Sequence, residues 1–525
     1  MTGRASLPPP PPPRGTLADR LGASRRELRG AFRGTRERAD QGTRAIVVGG
    51  GIAGISAALV LAERGVRVTL VEKDAQLGGR LASYPERLPG GDTFQMERGF
   101  SAFYRHYYNL RAILRRVDPD LAILRPLAGY PVLGPDGAED SFANLPTTAP
   151  LNLLSLLRRT PFVSLRDLRN IDTEAVRAMI GFDPLKSYAR FDGESAGSFL
   201  DRLNLPTKAR EMLFRVFCHS VFHGEESVSA AEMLSMLHFY FLGNPEGMSF
   251  DVLEEPTGDV LFAPLARHLA RLGVELRLGE TALEVTRERG DRIRVRTTSG
   301  SLEGEGLVLA PEVRGLKALY DASPQLAEDP TFAGTMEALA SCAPYVVFRL
   351  FYGQPTNDAR APFASIAGHG VLDSITLYDR FEGESRRYAL RTGGSVVQLQ
   401  AFGLDPERDD ASIRVELKST LARLYPELGG TEPLHEVYLR GADGPSFAPG
   451  TGATRARVAT PYGNIALAGD HVKVPFPSAL MERAASSGVM AANALLDRWD
   501  VRGEALYTIP PRGFIASLGA RWPAG

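Results

Sequence analysis

The first regular pattern of apolar and polar positions in the chain begins at Thr43. Residues 44–48 form a short β-rich run, and glycines then lead into an apolar-periodic stretch that predicts a helix over about residues 52–64. Gly65 ends this helix, because glycine is favoured just past a helix C-terminus, and the alternation in residues 66–71 predicts a second strand. The order strand, helix, strand predicts a βαβ unit at the start of the folded chain.

Later apolar runs predict that the chain returns to the same sheet. These runs are residues 274–278, 282–285, 293–297 and 307–310, and near the end 465–468, which leads into a helix over about 478–496. The remaining stretches are richer in Phe, Leu and Met and predict a second domain. We therefore expect an α/β fold, in which residues 43–129, 255–315 and 453–500 form a discontinuous Rossmann-type nucleotide-binding domain, and residues 130–254 and 316–452 an inserted α+β substrate domain.

The first 42 residues have a different composition. Residues 8–13 are a proline run, and residues 14–40 are rich in arginine. Leu17, Leu21, Leu28 and Phe32 fall on one face of a helix, so this leader is either a basic amphipathic helix that lies on an anionic membrane surface or a solvated, disordered segment. At the other end, we expect residues 501–525 to form a C-terminal tail.

Charge and cysteine content narrow the classes of partner. Lys and Arg total 61 and Asp and Glu 62, so no net positive field is present and we expect no nucleic-acid partner. Cys218 and Cys342 form no paired motif, which suits a reducing cytoplasm. The sequence has no uninterrupted apolar run of about 18 residues, the length that spans a bilayer. We expect a cytoplasmic protein that contacts the inner face of the cell membrane only peripherally.

A glycine motif follows the first predicted strand and opens the first predicted helix. Gly49 permits a tight turn, Gly51 has no side chain to keep a diphosphate away, and Gly54 lets the helix pack closely on the sheet. The helix N-terminus offers free N–H groups and a partial positive charge to phosphates. Glu72 ends the second strand at the spacing where a carboxylate meets a ribose hydroxyl. The motif predicts a dinucleotide site.

Two further segments favour FAD over a nicotinamide dinucleotide. Gly79 lets a second backbone segment approach the cofactor, and Arg80 can pair with its diphosphate. Near the C-terminus, Asp470 can bond a ribityl hydroxyl, and the start of the following helix can face the flavin ring and stabilise its reduced form. Nicotinamide cofactors need no such closing segment, so we expect FAD.

With these residues placed, the chain resembles the FAD-dependent carotenoid desaturase superfamily, which is related to the flavin amine oxidases, and within it the isorenieratene synthases. The stretches that carry the resemblance are residues 97–104, 107–111, 230–233, 241–243, 391–395 and 479–485. The resemblance implies a flavin amine oxidase/phytoene desaturase-like fold. It also implies flavin contacts at Gly49, Gly51, Gly54, Glu72, Lys73, Gly79, Arg80, Asp470 and Met481, with the backbone of Val285 beside the adenine.

The same resemblance implies a β-carotene-like substrate whose terminal ring is desaturated and made aromatic by a 1,2-methyl shift. Three other readings stay open: a phytoene- or ζ-carotene-type desaturase acting on an acyclic chain, an amine oxidase-like enzyme, and an isoprenoid carrier that keeps the fold without redox chemistry. No second nucleotide motif is present, so oxygen or a membrane quinone is the expected electron acceptor.

Such chemistry calls for an apolar, aromatic site that excludes water. The aromatic and methionine side chains expected to line it are Phe100, Phe103, Tyr104, Phe214, Phe217, Phe222, Met236, Phe239, Tyr240, Phe241 and Met248.

For proton transfer we favour His238 as the catalytic residue, with His106 and Glu482 as the other titratable candidates. The resembled families often have histidine where Ser101 stands, and an arginine before phenylalanine where His238 stands. His219 and His223 have the spacing of metal ligands but no companion acid, so we expect no metal site.

Overall fold

The computed structural model describes residues 27–29, 34–89, 91–127, 129–141, 145–146, 151–160, 167, 171–220, 222–244 and 246–513. Its α-helices are, in chain order, α1 (Ile52–Glu63), α2 (Tyr108–Leu114), α3 (Leu151–Arg159), α4 (Thr173–Ile180), α5 (Pro184–Phe191), α6 (Ala196–Leu203), α7 (Thr207–Arg210), α8 (Val216–Ser220), α9 (Ala230–Leu237), α10 (Ala263–Arg271), α11 (Val313–Asp321), α12 (Pro330–Ala338), α13 (Gly383–Thr392), α14 (Asp410–Leu424) and α15 (Leu480–Arg498). Wider π-helical turns occupy Glu211–Arg215, His238–Leu242 and Gly258–Phe262.

The strands are β1 (Glu27–Arg29), β2 (Arg44–Val48), β3 (Arg67–Glu72), β4 (Ser83–Arg87), β5 (Thr93–Glu97), β6 (Phe103–Tyr104), β7 (Leu124–Leu127), β8 (Pro131–Leu133), β9 (Glu139–Ser141), β10 (Phe250–Leu253), β11 (Glu275–Leu278), β12 (Ala282–Arg287), β13 (Ile293–Thr297), β14 (Gly300–Gly304), β15 (Gly306–Leu309), β16 (Tyr345–Tyr352), β17 (Phe363–Ile366), β18 (Ser374–Leu377), β19 (Ser395–Ala401), β20 (His435–Gly441), β21 (Ile465–Leu467) and β22 (Leu506–Thr508).

A five-stranded parallel sheet in the order β11–β3–β2–β15–β21 forms the nucleotide-binding half. Its central strands read as continuous apolar runs because helices cover both faces of such a sheet. The predicted βαβ unit and the predicted returns at 274–278, 307–310 and 465–468 are all present, and the two-dinucleotide α/β fold is confirmed. The runs at 282–285 and 293–297 do not join this sheet: β12, β13 and β14 pair antiparallel as a separate sheet.

A seven-stranded sheet in the order β20–β16–β19–β18–β17–β8–β9 forms the second half. Two chain segments, 131–141 and 345–441, supply its strands, and β16 is buried along its whole length. The helices from α3 to α9 lie between these segments in sequence. The substrate domain was expected to resume at residue 316. Leu316 and Leu319 of α11 instead belong to the hydrophobic core of the parallel sheet, so the nucleotide-binding half extends beyond this boundary.

The two ends of the described chain pair with each other. Strand β1 pairs antiparallel with β22, with Glu27 opposite Thr508, so residues 27–29 form neither of the two structures expected for the leader, a helix or a disordered segment. Leu17, Leu21 and Phe32 lie outside the described residues. The predicted tail is folded as far as residue 513, since Val501, Leu506 and Ile509 are buried in the core of the parallel sheet.

Helix α15 packs on α1 with almost no space between their backbones. A Cβ added at Gly488 would lie 2.1 Å from the carbonyl oxygen of Ala53, so only glycine fits at this crossing. Ser487, the preceding residue, holds the strand end: its hydroxyl accepts a hydrogen bond from the N–H of Gly469 at 2.9 Å and donates to the Gly469 carbonyl at 3.0 Å. This contact fixes where the C-terminal segment meets the glycine turn.

We expect Gly488→Ala to destabilise the protein by about 1–3 kcal/mol, because overpacking a close backbone contact forces the helices apart. Gly334→Ala is the matched control: Gly334 also lies in a helix, and a Cβ there meets nothing within 4 Å. The control should change stability by less than about 1 kcal/mol, in the stabilising direction. Urea unfolding followed by circular dichroism measures both, and equal stability of the two variants would contradict the proposed close contact.

Candidate active site

One cavity of about 930 Å³ lies between the two halves of the molecule. Its walls include the glycine turn after β2, the end of β3, the turn after β21 and the start of α15, together with the inner face of the seven-stranded sheet. Glu72 and Asp470, which are far apart in sequence, line it together. The cavity therefore has a polar end at the parallel sheet and a long apolar arm.

The three motif glycines have different surroundings. Gly49 has φ +104, and a Cβ there would lie 2.6 Å from the carbonyl oxygen of Ala310; a Cβ at Gly54 would lie 1.8 Å from the carbonyl oxygen of Gly49. At Gly51, in contrast, a Cβ would meet no atom within 4 Å and would project into the cavity. Gly51 thus leaves open the space that a diphosphate requires.

The N-terminus of α1 faces this space, and no side chain of the helix occupies its free N–H groups. Its N-cap residue Gly51 makes no side-chain cap, and the first turn contains no acidic residue. Free N–H groups and the helix dipole attract an anion at such a place. The residues present fit the diphosphate of FAD.

Glu72 organises the turn as well as lining the cavity. Its Oε2 accepts a hydrogen bond from the N–H of Gly50 at 2.6 Å, and its Oε1 accepts one from the N–H of Asp74 at 2.9 Å. A carboxylate has about four acceptor positions, so both oxygens can still accept from ribose hydroxyls. Lys73 lines the cavity too, but its side chain is largely exposed and pairs with Asp74 at 2.9 Å.

A second backbone segment closes over the glycine turn. A Cβ at Gly79 would lie 3.3 Å from the Cα of Gly51. Beside it, Nη2 of Arg80 lies 2.6 Å from Oδ1 of Asp470. Burial alone would raise the pKa of the Asp470 carboxyl, but the Arg80 guanidinium, together with the charges of His471 and Arg483, holds that pKa below its usual value. The ion pair joins the N-terminal and C-terminal cofactor segments.

The start of α15 forms the next part of the wall. Leu480, Met481 and Ala484 line the cavity, and the N-cap residue Ala479 provides no side-chain cap. Leu480 has φ +47, a left-handed conformation that is uncommon for a bulky residue. Uncapped N–H groups at this end can stabilise negative charge on a reduced flavin.

The apolar arm is lined mainly by aromatic and aliphatic side chains. Of the side chains predicted to line the site, Phe100, Tyr104, Phe214, Phe217, Phe222, Tyr240, Phe241 and Met248 do so. Phe103, Met236 and Phe239 instead lie behind them in the buried core. The π-helical turn at His238–Leu242 widens the helix after α9 and brings Tyr240, Phe241 and Leu242 to the wall.

The structure gives His238 a packing role in place of the predicted catalytic one. Its ring is fully buried and stacks on Phe182 with centroids 5.1 Å apart, and its Nε2 lies 2.8 Å from the carbonyl oxygen of Pro510. It is not among the residues that line the cavity. Its hydrogen bond ties the π-helical turn to the C-terminal segment.

The two other titratable candidates also lie outside the cavity lining. His106 is packed among aromatic rings, and burial lowers its pKa to about 3, so the imidazole is uncharged at neutral pH. Glu482 caps α2: its carboxylate oxygens accept hydrogen bonds from the N–H groups of Asn109 and Leu110, both at 2.9 Å. Both residues support the fold beside the site.

Val285 does not face the cofactor end of the cavity. Its N–H donates to Oγ of Ser323 at 2.8 Å, and its side chain is buried. Ala282, at the start of the same strand, lines the cavity instead. The pairing of β12 with β13 shifts register between Ala282 and Glu284, so the alternation of inward and outward residues changes along this strand.

Sequence reasoning missed a polar strip on the wall formed by the seven-stranded sheet. Ser365, Asp373, Ser374 and Gln400 line the cavity there. Asp373 also contacts His219, for which the sequence suggested only a metal-ligand spacing. In the described part of the chain, no group of side chains is suited to hold a metal ion. Asp373 lies in a turn with no local motif, so only the tertiary structure identifies it.

Comparison with known proteins places this geometry among flavoenzymes. A model of the family "Flavin containing amine oxidoreductase" matches residues 52–496. A carotenoid phi-ring synthase of Streptomyces griseus is 42% identical over 472 residues, covering 90% of this chain and 91% of the relative. A zeta-carotene desaturase of a Synechocystis strain is 24% identical over 503 residues, covering 86% and 97%. The predicted resemblance to carotenoid desaturases is confirmed.

Solved structures show the same fold. A triple mutant of putrescine oxidase superposes with a TM-score of 0.65 at 16% identity, covering 87% of this chain and 99% of that chain. Cyclohexylamine oxidase from Brevibacterium oxydans gives 0.64 at 15% identity, covering 87% and 98%.

We expect Gly51→Val to fold and to lose affinity for FAD, because the added side chain would occupy the open part of the cavity that is predicted to hold the diphosphate. Excluding a bulk of this size costs about 1–3 kcal/mol, which corresponds to roughly 5- to 150-fold weaker binding. Titration of apoprotein with FAD, followed by flavin absorbance, measures the change. Gly193→Val is the control, since Gly193 is also open but lies away from the cavity; unchanged FAD affinity in Gly51→Val would place the diphosphate elsewhere.

Proposed function

The chain belongs to the flavin containing amine oxidoreductase family and is an FAD-dependent oxidoreductase; from this premise we propose that it desaturates a carotenoid. The proposed reaction converts the β-ionone-type rings of a β-carotene-like substrate to aromatic rings with a 1,2-methyl shift. The relatives named carotenoid phi-ring synthase, from Streptomyces griseus and from Chlorobaculum tepidum at 28% identity over 599 residues, support this choice.

One observation carries the proposal: the space for the cofactor and the apolar arm form a single cavity. FAD held at Gly51, Gly79 and Arg80 would supply the hydride acceptor, and removal of a hydride beside a polyene leaves a delocalised cation. Aromatic walls suit that cation, because ring faces carry partial negative charge. Tyr104, Tyr240 and Phe250 supply such rings, with centroids 5.0 Å apart for Tyr104 and Tyr240 and 5.4 Å apart for Tyr104 and Phe250.

The residues of this chain have two tasks in the proposed reaction: they bind the cofactor, and they enclose the substrate ring. Gly51, Gly79 and Arg80 bind and orient the cofactor, and Asp470 holds Arg80 in place. The aromatic arm keeps the ring against the reacting position and excludes water, which would otherwise capture the cation. A cation next to the carbon that carries two methyl groups then draws one of them across, and loss of a proton completes the aromatic ring.

An acyclic desaturase is the second candidate, and the zeta-carotene desaturase relative favours it. An amine oxidase-like reaction has support from fold alone, since the amine oxidase structures are similar at 15–16% identity. An isoprenoid carrier without redox chemistry would not need the Arg80–Asp470 closure. Oxygen or a membrane quinone is the proposed electron acceptor.

We expect purified holoenzyme, incubated with β-carotene in phospholipid vesicles and a quinone, to yield a product with aromatic end rings by chromatography and mass spectrometry. ζ-Carotene and phytoene in parallel vesicles test the acyclic reaction, and putrescine tests amine oxidation. Apoprotein from which FAD has been removed is the control without bound cofactor. Conversion of ζ-carotene or phytoene with β-carotene left intact would reject ring aromatisation and keep desaturation.

Contact with a membrane is part of the proposal, because the substrate resides in lipid. No helix in the described ranges is both long and apolar enough to cross a bilayer. Helix α3 suits peripheral docking: Leu156 on its inner side lines the cavity, while Leu151 and Leu154 are 51% and 58% exposed. The exposed Arg158 and Arg159 end the same helix and can pair with anionic lipid headgroups. We propose that α3, beside the cavity, contacts the bilayer.

The double variant Leu151→Glu/Leu154→Glu should reduce binding to vesicles that contain phosphatidylglycerol and reduce turnover of vesicle-borne β-carotene, with bound FAD unchanged. Each exposed leucine buried in lipid contributes about 1 kcal/mol or more, so we expect at least about a tenfold loss of vesicle affinity. Leu390→Glu is the control, because Leu390 is 81% exposed and lies on α13, away from the cavity. Equal flotation of both variants with vesicles would exclude α3 as the docking surface.

A further inference from the structure

We propose that Asp373 is the base that accepts the ring proton whose loss completes aromatisation, with His219 as the residue that positions it. This inference rests on the aromatisation reaction proposed above and assigns a residue to its proton-transfer step. The favoured sequence candidate, His238, does not reach the cavity, so the step needs another group.

Asp373 and His219 form a close pair at the cavity wall. Nδ1 of His219 lies 2.7 Å from Oδ1 of Asp373, and the other carboxylate oxygen accepts a hydrogen bond from the N–H of Phe402 at 2.7 Å. The side chains of both pair members are 12% exposed, and Asp373 lines the cavity. Two donors therefore fix the carboxylate in one orientation, as a catalytic base requires.

A polar strip leads from this pair toward the cofactor end of the cavity. Ser374, next to Asp373, donates from Oγ to Oε1 of Gln400 at 2.9 Å. A Cβ added at Gly99 would lie 3.1 Å from Nε2 of Gln400, so the strip meets the segment that contains Ser101. Asp373 is thus linked through Ser374 and Gln400 to the Gly99 segment, and all of these residues line the cavity that the cofactor segments also line.

The backbone around the pair is held in uncommon conformations. Phe222, which follows His219 closely in sequence, has φ +70 and packs on Phe402 with ring centroids 4.9 Å apart. Gly403 has φ +60, and a Cβ there would lie 3.0 Å from the N atom of Gly224. Left-handed conformations at bulky residues cost about 1–3 kcal/mol and concentrate at functional sites. Here they bring the loop after α8 against the residues that follow β19, where the N–H of Phe402 bonds Asp373.

Four other carboxylates that line the cavity have different partners. Glu72 and Asp470 belong to the cofactor segments described above. Oε1 of Glu97 accepts a hydrogen bond from the N–H of Thr257 at 2.9 Å. Asp443 accepts one from the hydroxyl of Tyr345 at 2.8 Å and lies 3.5 Å from a guanidinium nitrogen of Arg98. Asp373 alone among these is paired with an imidazole, which can carry a proton onward.

The proposed step balances as follows. Making one ring aromatic removes two hydrides and two protons; FAD at the cofactor site would be the hydride acceptor, with a quinone or oxygen as the oxidant that regenerates it. After the methyl group has moved, the ring cation loses a proton: the C–H bond breaks, its electron pair becomes the last π bond of the ring, and the proton goes to the Asp373 carboxylate. His219, hydrogen-bonded to that carboxylate, holds it in place and relays the proton.

Asp373→Asn tests the assignment, because it keeps the shape and the Phe402 contact but is a far weaker base. We expect FAD content and vesicle binding equal to wild type, and formation of aromatic rings about 10²- to 10⁴-fold slower, the usual contribution of a general base. The first hydride transfer does not need the base, so the variant should still reduce an artificial dye acceptor. The number of dye molecules reduced per aromatic ring should therefore rise, and partly desaturated, non-aromatic rings should accumulate. Added formate should partly restore aromatisation in Asp373→Ala.

His219→Asn should give a smaller loss with the same rise in dye reduced per aromatic ring. His435→Asn is the matched control: Nε2 of His435 lies 3.5 Å from Glu86, a second histidine–carboxylate pair, and neither residue lines the cavity. If an Asp373 variant loses FAD, or loses dye reduction and aromatisation in equal proportion, Asp373 has a structural role and the assignment is wrong. An unchanged rate of aromatisation would also overturn the assignment. Wild-type enzyme that makes no aromatic ring would instead reject the proposed function itself.

Discussion

The site depends on one backbone contact, the crossing of the last long helix over the first. Gly488 of α15 approaches the carbonyl oxygen of Ala53 in α1 so closely that no side chain fits between them. Ser487 meanwhile bonds both backbone groups of Gly469. This crossing places Asp470 where it can meet Arg80, and it aims the uncapped start of α15 into the cavity that Gly51 opens. Without it, the two cofactor segments would be separate surfaces rather than walls of one cavity.

The arm beyond the cofactor end combines apolar walls with local distortion. Leu480 and Phe222 have positive φ values, and the turns at Glu211–Arg215 and His238–Leu242 are π-helical. Conformations of this kind are costly unless the surrounding packing enforces them. In this chain each one turns an aromatic or aliphatic side chain toward the cavity. The large buried core around them supplies the stability that such distortions require.

Sequence patterns could predict the parts of the molecule that local physics determines. The first βαβ unit follows from apolar periodicity, and the roles of Gly49 and Gly54 follow from the tight turn and close packing that the motif needs. That the Arg80 and Asp470 segments border one cofactor site was expected from what an FAD site must enclose, but the ion pair between these two residues was not. In each case a local rule or a cofactor constraint limited the alternatives.

The rest required tertiary structure. A register irregularity turns Val285 toward Ser323, and the π-helical turn carries His238 to the carbonyl group of Pro510, far along the chain. Strands β12 and β13 form a sheet of their own, although their apolar alternation resembles that of any half-buried strand. The Asp373–His219 pair joins two segments with no shared motif.

A crystal structure of the holoenzyme with β-carotene tests the central claim most directly. The account predicts the FAD diphosphate against Gly51 and a substrate ring in the aromatic arm of the same cavity; a carotenoid bound outside that cavity would contradict it.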